Sequence, residues 1–222
     1  MPQETVSNTF IKDFPANDAL CRYKNALSDE LCDSLVELFN TNSEMSFAGL
    51  TLSGLNQIKK SVEIYLTSED SNRTDAVKTN LDTEVWASLS LVIRDYQKKF
   101  DWLSDCPGIV DTGYKIQKYI ANEGRYGEHI DGDPWSTIVT GRLCGVVCYL
   151  NDVEVGGETY FRYQDIRVKP EKGTVIVFPA NWTHPHEALM PISNDKYIIS
   201  TFLVAENLRH RNNYYIRNES LF

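Results

Sequence analysis

From residue 114 onward the chain is a series of short runs rich in β-branched and aromatic residues, each followed by turn residues. The runs are YKIQKYI at 114–120, RLCGVVCYL at 142–150, ETYF at 158–161, TVIVF at 174–178 and KYIISTFLV at 196–204. The connections NDVEVGG, KPEKG and PISND are rich in Asn, Asp, Gly and Pro, which favour turns. Several short strands at this spacing predict a β-sandwich or barrel.

The first hundred residues carry helical signals instead. Ser28 is a good N-cap for a helix that continues to about residue 40, with apolar residues at helical spacing: Leu31, Leu35, Leu38 and Phe39. A second helix is expected from about Thr83, with one apolar face formed by Trp86, Leu89, Ile93, Tyr96 and Phe100. Residues 40–57 and 68–80 are polar and predict loops, whereas 58–67 fit no single element.

The helical pattern of the first hundred residues and the strand pattern from residue 114 onward predict an α+β chain whose helices cover one face of a β core. A boundary near residue 105 is conceivable, but a chain of 222 residues is of a size that one domain can fill. We therefore expect one domain over 1–222: mainly helical support in 1–105, the β core in 106–205, and a tail in 206–222.

Charge and cysteine content narrow the functional classes. The net charge is -9, and an acidic balance disfavours nucleic acid as a partner, because phosphate backbones require basic surface. The five cysteines contain no CxxC pair and are expected to be reduced, as in an intracellular, cytoplasmic protein. No secretory signal or membrane-spanning stretch is visible in the sequence.

Three of the four histidines lie in two short segments. In GEHIDGD, His129 and Asp131 would point to the same side of an extended chain, and WTHPHEA could bring His184 or His186 to the same point. Two histidines and one carboxylate form the facial triad of non-haem iron oxygenases. Catalytic zinc sites use a similar ligand set, and His210 is interpreted as a surface residue.

Lys196 opens the mostly apolar run KYIISTFL, which predicts a buried strand. Burying an ammonium is costly unless an anion meets it. One interpretation is a strand-end lysine whose side chain extends to water. The other is a counter-ion for a ligand that carries a carboxylate.

Taken together, these segments resemble the 2-oxoglutarate- and Fe(II)-dependent oxygenases, in particular their prolyl 4-hydroxylase-like branch. The resemblance covers about residues 110–205 and rests on YIANEGRYGEHID at 119–131, VVCYLND at 146–152, GGETYF at 156–161, GTVIVFP at 173–179 and PHEALMPISNDKY at 185–197. It implies a double-stranded β-helix, a cupin-like jelly roll with supporting N-terminal helices.

The resemblance also implies a ligand set. Fe(II) would be bound by His129, Asp131 and His186, since the step from His186 to Lys196 has the family's length. The co-substrate 2-oxoglutarate would chelate the iron and place its far carboxylate on Lys196, with O2 as the second co-substrate and ascorbate as a possible reductant. Further co-substrate contacts are expected from Tyr149, Tyr119 and Ser200.

Two features depart from the family pattern. The cation that binds the far carboxylate is often arginine, which binds a carboxylate through two parallel hydrogen bonds, whereas Lys196 is a point charge. The glycine that usually follows the first tyrosine is displaced in YIANEG, which affects the expected role of Tyr119.

The resemblance implies hydroxylation of a C–H bond, with succinate and CO2 as co-products. A prolyl residue in a peptide or protein is the expected substrate; a free amino acid or another small metabolite, or a metal-binding module without catalysis, are the alternatives. Substrate contacts are expected from the loops 41–57, 68–80 and 132–141, and from three residues close to the metal segment: Trp135, Arg142 and Tyr126.

Overall fold

The computed structural model describes residues 10–12, 19–51, 58–67, 76–105, 108–132 and 141–205. Its helices are α1 (Asp29–Thr41), α2 (Ala76–Lys99) and the short α3 (Asp101–Ser104). The strands, in chain order, are β1 (Ile11–Lys12), β2 (Cys21–Lys24), β3 (Phe47–Ala48), β4 (Lys59–Lys60), β5 (Val62–Tyr65), β6 (Ile109–Asp111), β7 (Lys115–Tyr119), β8 (Arg125–His129), β9 (Arg142–Tyr149), β10 (Thr159–Phe161), β11 (Ile166–Val168), β12 (Val175–Pro179), β13 (His186–Ala188) and β14 (Lys196–Ala205).

These strands form two antiparallel sheets. The major sheet has the order β1-β2-β12-β9-β14-β7-β5-β3, with β6 paired to the end of β14. The minor sheet has the order β11-β10-β13-β8-β4. Strands that are neighbours in space are mostly distant in sequence, as in a jelly roll. The predicted double-stranded β-helix is confirmed.

Successive side chains of the central strands point to opposite faces of the major sheet. They contribute to two apolar cores, one on each face. On β14, Tyr197, Ile199 and Leu203 join the helices in the outer core. Ile198, between them, joins an inner core that also contains residues of the minor sheet, such as Phe161. The major sheet is therefore covered on both faces, and its inner face is available to shape a site.

The first helix follows its predicted pattern. The Ser28 side chain accepts a hydrogen bond from Leu31 N at 3.1 Å and caps α1, and the predicted apolar residues of the helix are buried. The cap satisfies one of the donors that every helix start leaves open.

The second helix differs from its prediction in two ways. It begins at Ala76 rather than near Thr83, because tertiary contacts hold its polar first turns: Leu81 is buried, and Asp82 Oδ1 accepts a 2.6 Å hydrogen bond from Thr67 Oγ1. Trp86, predicted on the apolar face, is 40% exposed, and Val85 packs into the core in its place.

The N-terminal part supplies strands in addition to helices. Residues 58–67, which fitted no single element, form β4 and β5, and part of the predicted loop 40–57 forms β3. The C-terminal runs become β7, β9, β10, β12 and β14 within a residue of their predicted bounds, whereas β11 and β13 lie outside the predicted runs. The expected single domain and its internal boundaries stay a prediction.

A buried ion pair joins the two sheets at one edge. Lys59, on β4 of the minor sheet, lies 2.6 Å from Glu63, on β5 of the major sheet. Lys115, on β7, lies 3.3 Å from the other oxygen of the same carboxylate, and Ser61 donates to Glu63 at 3.0 Å. We refer to Lys59, Glu63 and Lys115 as the basic triad.

The remaining sequence expectations concern cysteines and membranes. Cys21, Cys32, Cys144 and Cys148 are buried free thiols, and Cys144 and Cys148 pack in the outer core as small apolar residues, while Cys106 lies outside the described residues. Within the described ranges, no helix combines the length and the apolar character that crossing a membrane requires.

Replacing Glu63 by Gln leaves two lysines buried without a carboxylate, so we expect a loss of about 3–5 kcal/mol in the free energy of unfolding. Urea denaturation followed by circular dichroism measures this. The matched control is Glu123→Gln, which breaks the exposed Lys60–Glu123 pair of the same 2.6 Å length and is expected to cost at most about 1 kcal/mol. Equal losses in the two variants would contradict the structural role of the triad.

Candidate metal and co-substrate site

Two neighbouring strands of the minor sheet bring three predicted ligands together. His129 ends β8, His186 begins β13, and the two residues are direct partners in the antiparallel register. Asp131 follows β8, and its two carboxylate oxygens lie 3.4 Å from His129 Nε2 and 3.8 Å from His186 Nε2. One ligand atom from each of the three residues lies within 4.8 Å of the others.

Backbone carbonyls fix the tautomer of both histidines. His129 Nδ1 lies 2.9 Å from Gly127 O, and His186 Nδ1 lies 3.1 Å from His184 O. A carbonyl oxygen only accepts, so each Nδ1 carries a proton, and each Nε2 faces the carboxylate of Asp131. This donor set fits a divalent transition metal.

The protonation states suit metal binding as well. Burial and the neighbouring His129 lower the pKa of His186 to about 4, so its ring is neutral near pH 7. Burial alone would raise the pKa of Asp131, but the two histidines lower it to about 2. A neutral imidazole and an ionised carboxylate are the forms that bind a metal.

Aromatic rings and one glycine enclose the ligands. The Tyr126 ring stacks on His129 at 3.6 Å between centroids, and Phe178 meets His186 edge-on at 4.7 Å. Gly145 on β9 backs Asp131: a Cβ there would overlap Asp131 Oδ2 and lie 2.6 Å from Phe178 Cζ. Any larger residue at 145 would displace the carboxylate or the ring.

His184, the alternative third ligand, lies outside this cluster. Its Nδ1 is 2.7 Å from Thr183 Oγ1, and its ring meets Phe161 edge-on at 6.4 Å. Its backbone oxygen, not its side chain, serves the site by holding His186. The geometry favours His186 over His184.

Lys196 is the second notable feature of the same pocket. Its side chain is fully buried, and Nζ donates to Gly157 O at 2.8 Å and lies 4.7 Å from the centroid of the Tyr119 ring. Within the described part of the chain, no carboxylate lies within ion-pair distance of Nζ. Burial accordingly lowers the pKa of Lys196 to about 7. An anion bound near Nζ would stabilise the charged form of this buried lysine.

A chain of hydrogen bonds crosses the wall between Lys196 and the metal ligands. Tyr119 donates to Gln117 Oε1 at 2.9 Å, and Gln117 Nε2 donates to Ser200 at 2.6 Å. These three side chains and Lys196 line one pocket, together with the proposed metal ligands. Tyr119 and Ser200 were predicted to be there; Gln117 was not.

Tyr149 is placed differently from the other predicted co-substrate residues. Its hydroxyl donates to Thr159 Oγ1 at 2.7 Å, and Thr159 rather than Tyr149 lines the pocket. Tyr149 thus reaches the pocket through the Thr159 hydroxyl, and its contact with the co-substrate stays a prediction.

The predicted substrate residues divide into two groups. Tyr126 and Arg142 line the pocket; Arg142 donates to Asp131 O at 2.9 Å and lies over the Phe202 ring at 3.4 Å. Trp135 lies outside the described residues, as do most of the loops predicted to touch the substrate.

Sequence reasoning missed four residues that line the pocket: Lys59, Lys115, Gln117 and Thr159. The available signal was on β7, where Lys115, Gln117 and Tyr119 alternate and therefore point to the same face.

Two histidines and one carboxylate that meet in a pocket are the ligand set of non-haem iron oxygenases. The family model described as 2OG-Fe(II) oxygenase superfamily matches residues 114–204. This segment contains all the proposed metal ligands and Lys196, and it is similar to that superfamily. No curated protein sequence matches the chain significantly.

Solved structures of prolyl hydroxylases are similar to this chain. A Trichoplax adhaerens prolyl hydroxylase, in complex with a hypoxia inducible factor oxygen degradation domain peptide fragment, has a TM-score of 0.69 and 16% identity over 88% of this chain and 87% of that one. The viral collagen prolyl hydroxylase of Paramecium Bursaria Chlorella virus-1, as its 2OG complex, has a TM-score of 0.63 and 19% identity over 85% and 97%. A Pseudomonas putida prolyl-4-hydroxylase has a TM-score of 0.61 and 18% identity over 85% and 94%.

At these identities the likeness is one of fold. The predicted resemblance to the 2-oxoglutarate- and Fe(II)-dependent oxygenases is confirmed by the family match, and the prolyl 4-hydroxylase-like architecture by the structural neighbours. The roles of individual residues stay predictions that the following experiments address.

His186→Ala removes a buried Nε2 donor, so we expect it to abolish tight Fe(II) binding. His184→Ala keeps the backbone oxygen that orients His186 and is expected to retain binding. Anaerobic titration of the purified variants with Fe(II), with bound metal measured after desalting, compares them. The reverse pattern would show that His184 is the ligand.

Gly145→Ala should weaken metal binding by about 10- to 100-fold, because the added methyl displaces Asp131. The matched control is Cys148→Ala on the same strand, whose side chain faces the outer core. Both substitutions should lower thermal stability modestly, but only the first should change the metal affinity. An unchanged metal affinity in Gly145→Ala would contradict the placement of Asp131.

Binding of 2-oxoglutarate should depend on pH through Lys196. In the empty pocket its pKa is about 7, and a bound carboxylate stabilises the ammonium and raises that pKa. Complex formation therefore takes up a proton above about pH 7, and the affinity should fall by up to about tenfold per pH unit there. Calorimetry on the Fe(II)-loaded protein under anaerobic conditions measures this.

The control for the pH experiment is Lys196→Arg, whose guanidinium stays charged throughout the range. Its 2-oxoglutarate affinity should be independent of pH above about pH 7. A wild-type affinity that is flat or rises with pH would remove Lys196 from the co-substrate site.

Proposed function

We propose that this chain is an Fe(II)- and 2-oxoglutarate-dependent dioxygenase that hydroxylates a C–H bond of a prolyl residue in a peptide or protein. The observation that carries the proposal is the pairing of two features in one pocket. One is the His129–Asp131–His186 cluster, and the other is the buried ammonium of Lys196, which has no carboxylate within ion-pair distance among the described residues.

Each feature alone has a simpler explanation. A cluster of two histidines and a carboxylate fits a metal-binding module without catalysis. Such a module has no use for a fully buried lysine in the same cavity, because burying a cation without an anion costs free energy. The combination supports a site that binds a metal and a carboxylate-bearing molecule together.

The proposed ligands would hold Fe(II) on one face. His129 and His186 offer Nε2, with their Nδ1 protons held by backbone oxygens, and Asp131 offers one carboxylate oxygen. Arg142 orients the segment that carries Asp131 through its bond to the backbone oxygen. Three ligands on one face leave positions for co-substrates on the other.

Lys196 would bind the far carboxylate of 2-oxoglutarate. Thr159 lines the pocket beside it and its hydroxyl, fixed by Tyr149, can contribute a hydrogen bond. The Tyr119–Gln117–Ser200 chain sets the polarity of the wall between the cation and the metal ligands. The burial of this wall keeps water from the co-substrate.

When bound, Fe(II) and 2-oxoglutarate would supply O2 activation, with one oxygen atom going to the substrate carbon and the other to succinate as CO2 is released. The protein binds and orients the participants and excludes water. Ascorbate as a reductant stays a prediction.

The prolyl substrate is supported by the likeness in fold to three prolyl hydroxylases, one of them solved with a peptide fragment. Tyr126 and Arg142 are the proposed contacts on the described side of the pocket mouth, with Trp135 as a further predicted contact. A free amino acid or small metabolite remains the alternative substrate for the same chemistry.

The proposal predicts succinate formation that requires Fe(II), 2-oxoglutarate and O2 together, and that rises when a proline-containing peptide library is added. Hydroxylated peptides would be identified by mass spectrometry, with a gain of one oxygen on proline. The His186→Ala protein serves as the negative control. Turnover with an amino-acid panel but not with peptides would select the small-metabolite alternative, and no succinate with any additive would contradict the proposal.

A further inference from the structure

We propose that the basic triad binds a carboxylate of the substrate, so that the enzyme selects targets with an anionic group next to the hydroxylated residue. This inference rests on the proposed function and names the substrate class for the same site. The carboxylate can belong to an acidic side chain beside the target residue or to a free α-carboxylate.

The two lysines of the triad face the pocket. Lys59 and Lys115 are lining residues together with the proposed metal ligands. Glu63 is completely buried behind them. Lys59 Nζ also lies 4.9 Å from the centroid of the Tyr126 ring, and that ring stacks on His129. The triad is therefore one contact removed from the metal cluster.

The charges of the triad do not balance. Across the described ranges, Glu63 is the one carboxylate in ion-pair contact with either Lys59 or Lys115. Lys59 takes the close contact at 2.6 Å with a side chain 5% exposed. Lys115 has the looser one at 3.3 Å and keeps 25% of its side chain accessible. One carboxylate thus serves two ammonium groups, and Lys115 is the surplus cation.

The surplus positive charge affects the pKa of Lys115. Burial is the main cause that lowers the pKa of Lys115, and the nearby cations Lys59 and Arg142 lower it further, against the opposing effect of Glu63. An additional anion in the pocket would relieve this strain on the ammonium. The protein therefore stabilises a negatively charged group at this place more than a neutral one.

The position of Lys115 separates it from the co-substrate cation. Lys115 pairs with Ser200 on β14, whereas Lys196 pairs with Tyr119. Four residues of strand separate Lys196 from Ser200, about 13 Å at 3.3 Å per residue. The ammonium of Lys196 donates to Gly157 O, whereas the ammonium of Lys115 contacts Glu63 on β5.

Register places Lys115 toward the metal side of the pocket. On β14, Phe202 follows Ser200 on the same face and pairs with Gly145 on β9, the residue that backs Asp131. A group bound by Lys115 thus lies beside the metal cluster, where a substrate must approach, and not at the Lys196 end. The two cations serve two different carboxylates.

The test measures binding of peptide probes to the Fe(II)- and 2-oxoglutarate-loaded protein, by calorimetry without O2. Blocked pentapeptides carry Glu, Gln or Lys at both positions flanking a central proline. A second pair consists of acetyl-Ala-Ala-Pro as the free acid and as the amide.

The protein variants are Lys115→Met and, as the control, Lys118→Met. Lys115→Met leaves Lys59 and Glu63 as a balanced ion pair. Lys118 lies on the same strand, on the opposite face, with 23% of its side chain exposed.

The inference predicts that the Glu peptide binds about tenfold or more tightly than the Gln peptide, and the Lys peptide most weakly. Lys115→Met should abolish the Glu–Gln difference, whereas Lys118→Met should keep it. If only the free-acid tripeptide exceeds its amide, with the same response to Lys115→Met, the carboxylate is the α-carboxylate. Equal binding of charged and neutral probes, equal effects of the two variants, or no binding of any probe would overturn the inference.

Mass spectrometry of the same peptides after incubation with O2 separates this inference from the proposed function. Selective binding of acidic peptides without any hydroxyproline would keep the carboxylate site and overturn the prolyl assignment. Equal hydroxylation of the Glu and Gln peptides, together with equal hydroxylation of the free-acid and amide tripeptides, would keep the prolyl assignment and overturn the carboxylate site.

Discussion

The antiparallel pairing of β8 with β13 is the interaction on which the site depends. It sets His129 directly opposite His186, and a register shift by one residue would turn one imidazole to the other face of the sheet. Asp131 lies just beyond the end of β8, where it meets both Nε2 atoms. The metal cluster is therefore a product of sheet register, reinforced by two backbone carbonyls that fix the ring tautomers.

Buried cations define the rest of the pocket. Lys196 has no carboxylate within reach among the described residues, and Lys115 shares Glu63 with Lys59. A buried cation costs desolvation free energy, which either an anionic ligand or other contacts of the fold must offset. Both lysines line the same pocket as the metal cluster, where a bound anion would stabilise each ammonium group.

Much of the fold follows from local sequence patterns. The runs that became β9, β12 and β14 are apolar enough to mark buried strands, and Ser28 with its following leucines marks α1. The start of α2 was missed because its first turns are polar and depend on contacts such as that between Asp82 and Thr67. Trp86 was misplaced because helical spacing alone does not tell which edge of an apolar stripe faces the core.

Some residues of the site could be predicted from the sequence and others could not. His129, Asp131, His186 and Lys196 were visible because their spacing matches a known family. Lys59 and Glu63 were not, because they lie on short strands of different sheets, and only the assembled fold brings them to Lys115. The position of Thr159 at the pocket wall likewise depends on a hydrogen bond from Tyr149 on another strand, which no single segment encodes.

The central claim is that one pocket holds both Fe(II) and 2-oxoglutarate. The most direct measurement is anaerobic titration of the Fe(II)-loaded protein with 2-oxoglutarate, followed by visible absorption. Chelation of the metal by the keto acid produces a charge-transfer band that neither component gives alone. We expect a saturable band in the wild-type protein, and for Lys196→Met a band that requires much higher 2-oxoglutarate concentrations. The absence of any band in the wild-type protein would contradict the account.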